Sequence, residues 1–307
     1  MQIHRSWQGL APSARGASCA MGNFDGVHLG HQAVIDLARG NAPLGIITFE
    51  PHPREVFTPD APPFRLMNAE ARLNRLAKLG VNHLFELPFD KDLAALTPEA
   101  FVETVLVQGL GISHVVVGAD FCFGKARAGK AADLQRLGQS HGFQTTIADL
   151  VTEADQPISS SAIRAALTDG RPRDAAAMLG HWHRIEGEVI HGEKRGRELG
   201  YPTANMSVQG LHLPKLGVYA VKADVLTGPH KGSYNGAASL GVRPMFGVNQ
   251  PNLETFLFDF KGDLYGAHLS VAFVDYLRPE LKFDGLPALI TQMAADCDRA
   301  RDILRAL

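Results

Sequence analysis

Cysteine is scarce in this sequence, and long apolar runs are absent from it. The three cysteines, Cys19, Cys122 and Cys297, lie far apart and form no CxxC pair. This spacing argues against a disulfide scaffold and a structural zinc site, and it fits a reducing compartment. No apolar stretch approaches the ~18 residues that cross a bilayer, and the N-terminus lacks the continuous apolar segment of a signal peptide. We therefore expect a soluble, cytoplasmic protein without a membrane partner.

An excess of charge of one sign is also missing. Thirty Lys and Arg residues against 32 Asp and Glu residues give a formal net charge of −2. Proteins that bind the phosphate backbone of DNA or RNA carry a basic excess, so nucleic acid is not an expected partner. A small polyanionic ligand is compatible with the composition, because a few N–H groups and cations can hold one.

The composition that is present is that of an ordinary globular protein. The chain has 307 residues, of which 45% are hydrophobic and 20% are charged. This length exceeds what one hydrophobic core usually spans, so we expect two domains.

The patterning of the chain changes near residue 182. Before it, strand-like and helical segments alternate, which is typical of βαβ units and a parallel sheet. After it, short alternating segments favour an antiparallel barrel or sandwich, and residues 285–307 have the spacing of a covering helix. We predict an α/β domain over 1–182 and a β domain over 183–307. The predicted strands are 17–22, 44–49, 81–87, 114–118, 143–150, 185–191, 218–225, 233–240, 253–260 and 268–276.

The most distinctive string, GNFDGVHLGH at residues 22–31, lies where the first strand gives way to the first helix. That edge of a parallel sheet binds ligands, and a helix N-terminus offers N–H groups to a phosphate. His28 and His31 can both donate to one phosphate chain and stabilise the charge that develops when an α-phosphate is attacked. For either histidine alone, a turn without a ligand is an equally good interpretation.

Three further segments have both a structural and a functional interpretation. Ser159, Ser160 and Ser161 with Arg164 form either a pyrophosphate cradle or a simple helix cap beside a solvated Arg. Asp120 can accept hydrogen bonds from a ligand ring on which Phe121 or Phe123 packs, or the segment can be a turn beside core aromatics. His52 between two prolines suits a ligand contact or merely a fixed loop.

Residues 192–205 form the second constellation. A basic, glycine-bearing loop is followed by Thr203 and Asn205, whose side chains point the same way in an extended segment. Both oxygens could reach one Mg²⁺ together with nucleotide phosphates. The GxxxxGK[ST] pattern is absent, so this is not a P-loop kinase. Taken alone, the string is also compatible with a charged surface loop.

Several strings resemble the prokaryotic bifunctional riboflavin kinase/FAD synthetases over nearly the whole chain. GNFDGVHLGH resembles their HxGH-containing opening, TFEPHP their second segment, VGADFCFG their VGxDFxFG loop, and ISSSAIR their SSTxIR motif. In the second half, GRELGYPTAN, LPKLGVYAV, LETFLFDF and GDLYG are similar to further family segments. The resemblance implies a Rossmann-like nucleotidyltransferase domain followed by a β-barrel domain with a covering helix.

The resemblance also implies roles for individual residues. His28, His31 and Glu254 are the expected catalytic residues, Glu254 as general base for a hydroxyl that attacks the γ-phosphate. Without the resemblance, Glu254 reads as an outward strand residue. The expected ligand contacts are ATP or phosphate at Gly22, Phe24, Asp25, Gly30, Ser159, Ser160, Ser161, Arg164, Gly196 and Gly200; flavin at His52, Asp120, Phe121, Phe123 and Arg301; and Mg²⁺ at Thr203 and Asn205.

Three residues depart from the family pattern. Ser239 stands where an Asn is typical, Met245 where a Thr is typical, and Phe256 where a His is typical. None of them removes the expected base or metal ligands, but they bear on the flavin side of the kinase site.

The resemblance therefore predicts an enzyme that makes FMN from riboflavin and ATP, and then FAD from FMN and a second ATP. In both steps the flavin is a substrate rather than a redox cofactor. Two alternatives remain open at this point. One is an enzyme whose kinase site has lost activity, and the other is a flavin- or nucleotide-binding regulator without turnover.

Overall fold

A computed structural model describes residues 1–149, 151–153, 156–192, 196, 199–245 and 248–307, without the side chains of 153, 156, 157, 243–245 and 248–250. The chain divides into two compact units. The first comprises residues 1–62 and 73–158, and the second comprises residues 63–72 and 159–307. These limits differ from the predicted boundary at residue 182, because residues 63–72 and the helices after residue 159 pack with the second unit. The assignment of an activity to 1–182 and to 183–307 stays a prediction.

The first unit is built on a parallel sheet of six strands. Its strands are β1 (Gln2–His4), β2 (Ser18–Met21), β3 (Leu44–Glu50), β4 (His83–Pro88), β5 (His114–Gly118) and β6 (Gln144–Ala148), in the order β1-β4-β3-β2-β5-β6. The burial of nearly every residue of β2, β3 and β4 is typical of a parallel sheet covered on both faces. The predicted sheet is confirmed, and β1 is a strand that the periodicity did not indicate.

Helices connect these strands and continue into the second unit. They are α1 (Leu29–Leu37), α2 (Pro53–Phe57), α3 (Ala69–Lys78), α4 (Lys91–Ala95), α5 (Pro98–Ala100), α6 (Ala131–His141), α7 (Ser160–Thr168), α8 (Pro172–Leu179) and α9 (Leu286–Arg305). The hydrophobic spacing of residues 97–107 predicts a single helix, whereas the structure has a short α-turn followed by a π-helix, Phe101–Leu110. Hydrophobic spacing does not distinguish the two, because both bury one face on the sheet. No helix in the described part of the chain is long and apolar enough to cross a membrane.

The second unit contains a nearly closed antiparallel barrel. Its strands are β7 (Arg184–Glu188), β8 (Ala204–Ser207), β9 (Gly217–Val225), β10 (Gly232–Met245), β11 (Val248–Leu257) and β12 (His268–Arg278), in the order β7-β12-β9-β10-β11-β8. A single bridge between Ile190 and Asn205 brings the ends of this order together. The predicted barrel and its covering helix are therefore confirmed, and β8 is an addition.

Alternation along the barrel strands separates two faces. In β9, Tyr219 and Val221 face the barrel interior, whereas Val218 and Ala220 pack with Cys297 and other residues of α9. The period of two in these strands is thus produced by burial on both faces, one against the barrel core and one against the helix.

Candidate active sites

The first candidate site is the turn that joins β2 to α1. Its backbone has positive φ at Phe24 (51°), Gly26 (89°) and Val27 (45°), a region that bulky and β-branched residues avoid. Phe24 and Val27 are buried, so packing holds the strained turn in place. Strain of this kind is concentrated at active sites and ligand clamps. The expected Gly22, Asp25 and Gly30 lie in the same turn.

Two stacked histidines end this turn. His28 is the N-cap of α1, and its Nδ1 accepts a hydrogen bond from the His31 backbone N–H at 3.3 Å. The neutral His28 ring therefore carries its proton on Nε2. The ring centroids of His28 and His31 are 3.6 Å apart. Burial and the neighbouring His28 ring hold the pKa of His31 well below its ordinary value, so His31 is neutral at pH 7.

A ring nitrogen of His31 and the glycine at position 30 support the interpretation of this histidine pair as a ligand site. The His31 Nδ1 is buried and has no hydrogen-bond partner among the described residues, which points to a partner that the protein alone does not supply. A Cβ at Gly30 would lie 3.1 Å from both Cε1 and Nδ1 of His28. A side chain at position 30 would press on the His28 ring, and glycine lets this ring lie against the start of the helix without a shift.

Aromatic side chains form a row along the carboxyl edge of the first sheet. Phe121 and Phe123 follow β5 with ring centroids 5.9 Å apart, and Phe123 lies 5.8 Å from Phe101. Phe123 is buried, whereas Phe121 is only partly buried, so Phe121 is the more accessible of the two expected residues. The row continues through Phe49, Phe89 and Phe57.

The far end of this row was not identified from the sequence. Phe57 is 65% exposed and lies edge-on to Phe89 at 5.6 Å. The available signal was the placement of both residues shortly after predicted strands, whose carboxyl ends meet at one edge of the sheet.

His52 and Asp120 lie at the same edge in different settings. His52 caps α2, since its Nδ1 accepts a hydrogen bond from the Arg54 N–H at 3.0 Å and its own N–H donates to Glu55 Oε2 at 3.2 Å. This capping box gives His52 a local structural role. Asp120 is exposed in the loop after β5. A flavin contact by either residue stays a prediction.

The expected phosphate cradle begins the second unit. Ser159 is the N-cap of α7, and its Oγ accepts a hydrogen bond from the Ala162 N–H at 3.2 Å. Arg164 donates from Nε to the Phe64 carbonyl at 2.5 Å, and its guanidinium lies 5.5 Å from the Phe64 ring centroid. These contacts agree with the interpretation of the segment as a helix cap. The phosphate role of Ser159, Ser160, Ser161 and Arg164 stays a prediction.

The second candidate site is a cavity of about 290 Å³ against the outer face of the barrel. Glu254 and Thr203 both line it, as do two of the departures from the family pattern, Ser239 and Phe256. Most of the remaining lining is apolar and comes from three sources, namely the barrel strands, α9 and the connection between β12 and α9. These apolar residues are Val218, Ala237, Ala238, Leu281, Phe283, Leu289 and Met293.

Sheet register builds a polar row on the outer face of the barrel, and two of its three members, Glu254 and Ser239, line this cavity. Asn205 pairs with Glu254 between β8 and β11, and Glu254 pairs with Ser239 between β11 and β10. Directly opposed residues of an antiparallel sheet project from the same face, so the three side chains lie side by side. The register at Glu254 is therefore intact although Phe256 follows two residues later.

Thr203 and Asn205 present uncharged oxygens at one end of the row. The Asn205 amide is oriented by two hydrogen bonds: its Oδ1 accepts from Asn252 Nδ2 at 2.9 Å, and its Nδ2 donates to the Thr203 carbonyl at 3.3 Å. An amide oxygen keeps a second lone pair after one such bond. Mg²⁺ takes hard oxygen ligands together with substrate phosphates, and this donor set fits it.

The glycine-bearing loop before Thr203 closes on itself. The Tyr201 N–H donates to the Gly196 carbonyl at 2.8 Å, and a Cβ at Gly196 would lie within 2.4 Å of the Tyr201 carbonyl. Gly200 has a φ of +84°, which L side chains rarely adopt. The basic residues expected to cover phosphates, Lys194, Arg195 and Arg197, lie outside the described residues.

Helix α9 forms the opposite wall. Asp296 pairs with Arg278 at 2.7 Å and accepts a hydrogen bond from Gln292 at 2.9 Å. Burial raises the pKa of the Cys297 thiol to about 11, so this cavity-lining thiol is protonated at neutral pH. Arg301 lies 4.4 Å from the Phe258 ring centroid and lines a second cavity of about 390 Å³. This second cavity shares Tyr201, Phe256 and Cys297 with the first.

Comparison with known proteins finds a different family model in each half of the chain. A family model for FAD synthetase matches residues 10–162, and one for riboflavin kinase matches residues 179–304. The bifunctional riboflavin kinase/FMN adenylyltransferase of Pseudomonas fluorescens is 40% identical over 307 residues, covering 98% of this chain and 97% of that protein. The Escherichia coli K12 protein of the same description is 37% identical, with the same coverage.

The chain belongs to the bifunctional riboflavin kinase/FMN adenylyltransferase family. It phosphorylates riboflavin to FMN and adenylylates FMN to FAD, with ATP as the co-substrate of both steps. A crystal structure from Streptococcus pneumoniae, described as a macrolide-efflux protein, matches with a TM-score of 0.83 at 29% identity and covers 98% of each chain. The same fold thus extends over nearly the whole length of both proteins.

Membership of this family makes the departures informative. Ser239 lies directly opposite Glu254, and Phe256 packs edge-on against Tyr201 with centroids 5.3 Å apart. Both substitutions therefore change the walls of the Glu254 cavity without displacing Glu254. The Met245 side chain lies outside the described residues.

Proposed function

We propose that residues 183–307 phosphorylate riboflavin and that residues 1–182 transfer the adenylyl group to FMN. The two family models support this division, because the riboflavin kinase match begins at residue 179 and the FAD synthetase match ends at residue 162. The division concerns chemistry rather than packing, since residues 63–72 and 159–182 pack with the second unit.

The observation that carries the kinase assignment is the row of Asn205, Glu254 and Ser239 on the outer face of the barrel, in which Glu254 and Ser239 line one cavity. Glu254 orients the primary hydroxyl of riboflavin and accepts its proton as the oxygen attacks the γ-phosphorus. The new O–P bond forms at that hydroxyl, and ADP leaves with the electrons of the broken bond. The mostly apolar walls hold the ring system of the flavin and exclude water.

Thr203 and Asn205 are the proposed ligands of Mg²⁺. Their oxygens lie on the β8 side of Glu254, where the phosphates of ATP would complete the coordination. When bound, the ion neutralises negative charge on the transferring phosphoryl group. The backbone N–H groups of the closed loop at Gly196 and Gly200 then bind the phosphates of the nucleotide.

In the first domain, His28 and His31 act on a different phosphorus. The FMN phosphate attacks the α-phosphorus of ATP, one P–O bond forms, and pyrophosphate leaves. His28 donates from Nε2 to the α-phosphate as charge develops there, and His31 supplies a second ring beside it. Gly22, Phe24, Asp25 and Gly30 shape the turn around these phosphates. Ser159, Ser160, Ser161 and Arg164 hold the outgoing pyrophosphate.

The flavin of the adenylyl transfer lies on the aromatic row. Phe121 and Phe57 are its accessible ends, and aromatic rings stack favourably on planar ligands. Asp120 accepts a hydrogen bond from the flavin ring, while Phe123 and His52 support the surface from beneath and beside it. In the kinase domain, Arg301 approaches the flavin from the second cavity.

Separate assays of the two half-reactions test this division of roles. Chromatography separates riboflavin, FMN and FAD after incubation with ATP and Mg²⁺. A kinase-site substitution should block FMN formation from riboflavin and spare FAD formation from FMN, and a first-site substitution should do the reverse. If either substitution stopped both half-reactions in a folded protein, the division would be wrong.

A further inference from the structure

One carboxylate of the kinase cavity has no role in the mechanism above. Glu280 lies in the connection between β12 and α9 and lines the same cavity as Glu254. It is exposed at the cavity mouth, and it accepts no hydrogen bond and forms no ion pair within the described part of the chain. A carboxylate that lines the same cavity as the proposed base, and that the described residues do not engage, is available to accept hydrogen bonds from a bound ligand.

The position of this carboxylate is set by the barrel backbone. A Cβ at Gly241 would lie 2.1 Å from Glu280 Oε1, so the carboxylate rests directly on β10 at this glycine. Gly241 follows Ser239 by two residues, and residues two apart on a strand face the same side. The Glu280 carboxylate therefore lies beside Ser239, on the same face as Glu254.

The start of the connection between β12 and α9 is anchored to α9. Arg278 donates from Nε and Nη2 to the carboxylate of Asp296 on α9, and from Nη1 to the Pro279 carbonyl at 2.9 Å. The guanidinium also lies 5.8 Å from the Phe283 ring centroid. Glu280 follows this anchored segment directly, so its approach to the cavity is restrained at both ends.

The outer face of the barrel thus has two different edges on either side of Glu254. The β8 edge carries the uncharged oxygens of Thr203 and Asn205, whereas the β10 edge carries Ser239 and the anionic Glu280. The phosphates of ATP are repelled by a carboxylate and belong on the β8 edge. A chain of neutral hydroxyl groups, by contrast, donates hydrogen bonds to a carboxylate, and such charge-assisted bonds are the strong ones.

We infer that Glu280, together with Ser239, binds the secondary hydroxyl groups of the ribityl chain and so determines selectivity for a polyol-bearing flavin. This inference rests on the proposed kinase role of Glu254. It assigns the β10 edge to the acceptor chain and leaves the flavin ring to the apolar walls. Glu280 contacts substrate in this proposal but takes no proton from it.

Glu280→Gln tests the inference, with Asp284→Asn as a matched control on the same connection and outside the cavity lining. Loss of a charge-assisted hydrogen bond should raise the KM for riboflavin by about 10- to 100-fold. The kcat and the KM for ATP should change by less than about threefold, because the contact is made in ground and transition states alike. Asp284→Asn should behave as the parent enzyme.

Lumiflavin, which has the flavin ring but no ribityl chain, separates this role from a general one. Its inhibition constant against riboflavin should be the same for Glu280→Gln and for the parent. If that constant rose in step with the KM for riboflavin, or if the KM for ATP rose instead, the inference would be wrong. An unchanged KM for riboflavin would overturn it too.

The two proposals fail in different ways. If Glu254→Gln retained kinase turnover, the assignment of the site itself would be lost. If Glu254→Gln lost turnover while Glu280→Gln kept the parental KM for riboflavin, only the present inference would fall. Neither substitution should affect FAD formation from FMN, and the Trp182 fluorescence of each variant checks that the second unit is folded.

Discussion

The two proposed active sites of this chain are built in opposite ways. The proposed adenylyltransferase turn uses ten consecutive residues, 22–31, and its defining contacts join residues three positions apart, such as His28 and His31. The proposed kinase site combines strands whose paired residues are far apart in sequence, as Asn205, Glu254 and Ser239 are. One site is local in sequence, and the other exists only through sheet register.

The two sites should therefore respond differently to amino-acid substitution. In the turn, the strained backbone and the glycine at position 30 hold the rings of His28 and His31 in contact. A single substitution in the turn should therefore disturb both histidines. In the cavity, each strand contributes one side chain on a rigid barrel. Substitutions such as those at Ser239 and Phe256 can therefore alter one wall while the register of Glu254 persists.

The largest effect is expected at the register-dependent site. Glu254→Gln keeps the shape of the side chain but removes its charge and most of its basicity. We expect kinase turnover to fall by roughly 10²- to 10⁴-fold, the range typical of general-base loss. Binding of ATP and riboflavin should change much less, because the contribution is made mainly in the transition state. Steady-state kinetics of riboflavin phosphorylation measure both.

The contrast with the first site provides the control. FAD formation from FMN should survive in Glu254→Gln, because the attacking phosphate is already anionic and needs no base. An unchanged kinase turnover would remove Glu254 from the mechanism, and would suggest that the row of three residues is structural.

A smaller loss is expected from the local site. Replacing His28 or His31 with Ala should lower FAD formation from FMN by about 10²- to 10³-fold, since each ring is a preorganised group facing developing charge. Riboflavin phosphorylation should stay near the parental rate. Because the rings stack, the double substitution should cost less than the product of the two single effects. Effects below twofold at both positions would assign the pair a purely structural role.

The same contrast explains what could be predicted from the sequence. The turn and its candidate residues were identified from the sequence because they are consecutive in it. Glu254 could not be placed by its own surroundings, where an outward strand residue was the better interpretation, and only resemblance singled it out. Gly241 and Glu280 had no signal at all, since their contact depends on how a connection folds back on β10.

The packing of residues 63–72 with the second unit could not be predicted from the sequence either. Leu66 lies in the first half of the sequence, but it is buried with Ile163, Leu167 and Leu179 in a small core of the second unit. The periodicity of a segment shows that one side is buried, not which partner covers it. This is why the compact units and the predicted domains differ at residues 63–72 although the order of strands and helices was largely predicted.

The smallest effect is expected from the hydrogen bond between His183 and Leu66, whose contribution to stability depends on pH. His183 is 3% exposed and hydrogen-bonds through Nε2 to the Leu66 carbonyl at 3.0 Å, while its Nδ1 is buried without a partner among the described residues. Burial lowers the pKa of His183 from the ordinary 6.5 to about 4. A proton on Nδ1 would be both desolvated and unpaired, which is the physical cause of this shift.

Because the unfolded chain binds this proton more readily than the folded one, stability is complete above pH 6.5 and is lost as the pH falls toward 4. The full loss from this group is about 3 kcal/mol, since one pKa unit corresponds to about 1.4 kcal/mol. Urea unfolding followed by Trp182 fluorescence in a Trp7→Phe background reports on the second unit. His183→Gln keeps a donor for Leu66 but cannot titrate, so its stability should fall less steeply over this range.

The first unit offers the comparison that makes the test specific. Its His114 has hydrogen-bond partners on both ring nitrogens, Ser18 Oγ and Thr146 Oγ1, each at 2.9 Å. Burial lowers the pKa of His114 as well, but this ring is only half-buried. Trp7 fluorescence in a Trp182→Phe background should therefore show a shallower acid loss that His183→Gln leaves unchanged. If His183→Gln flattened the Trp7 profile and not the Trp182 profile, the contact with Leu66 would not be what titrates, and residues 63–72 would owe their place in the second unit to apolar packing alone.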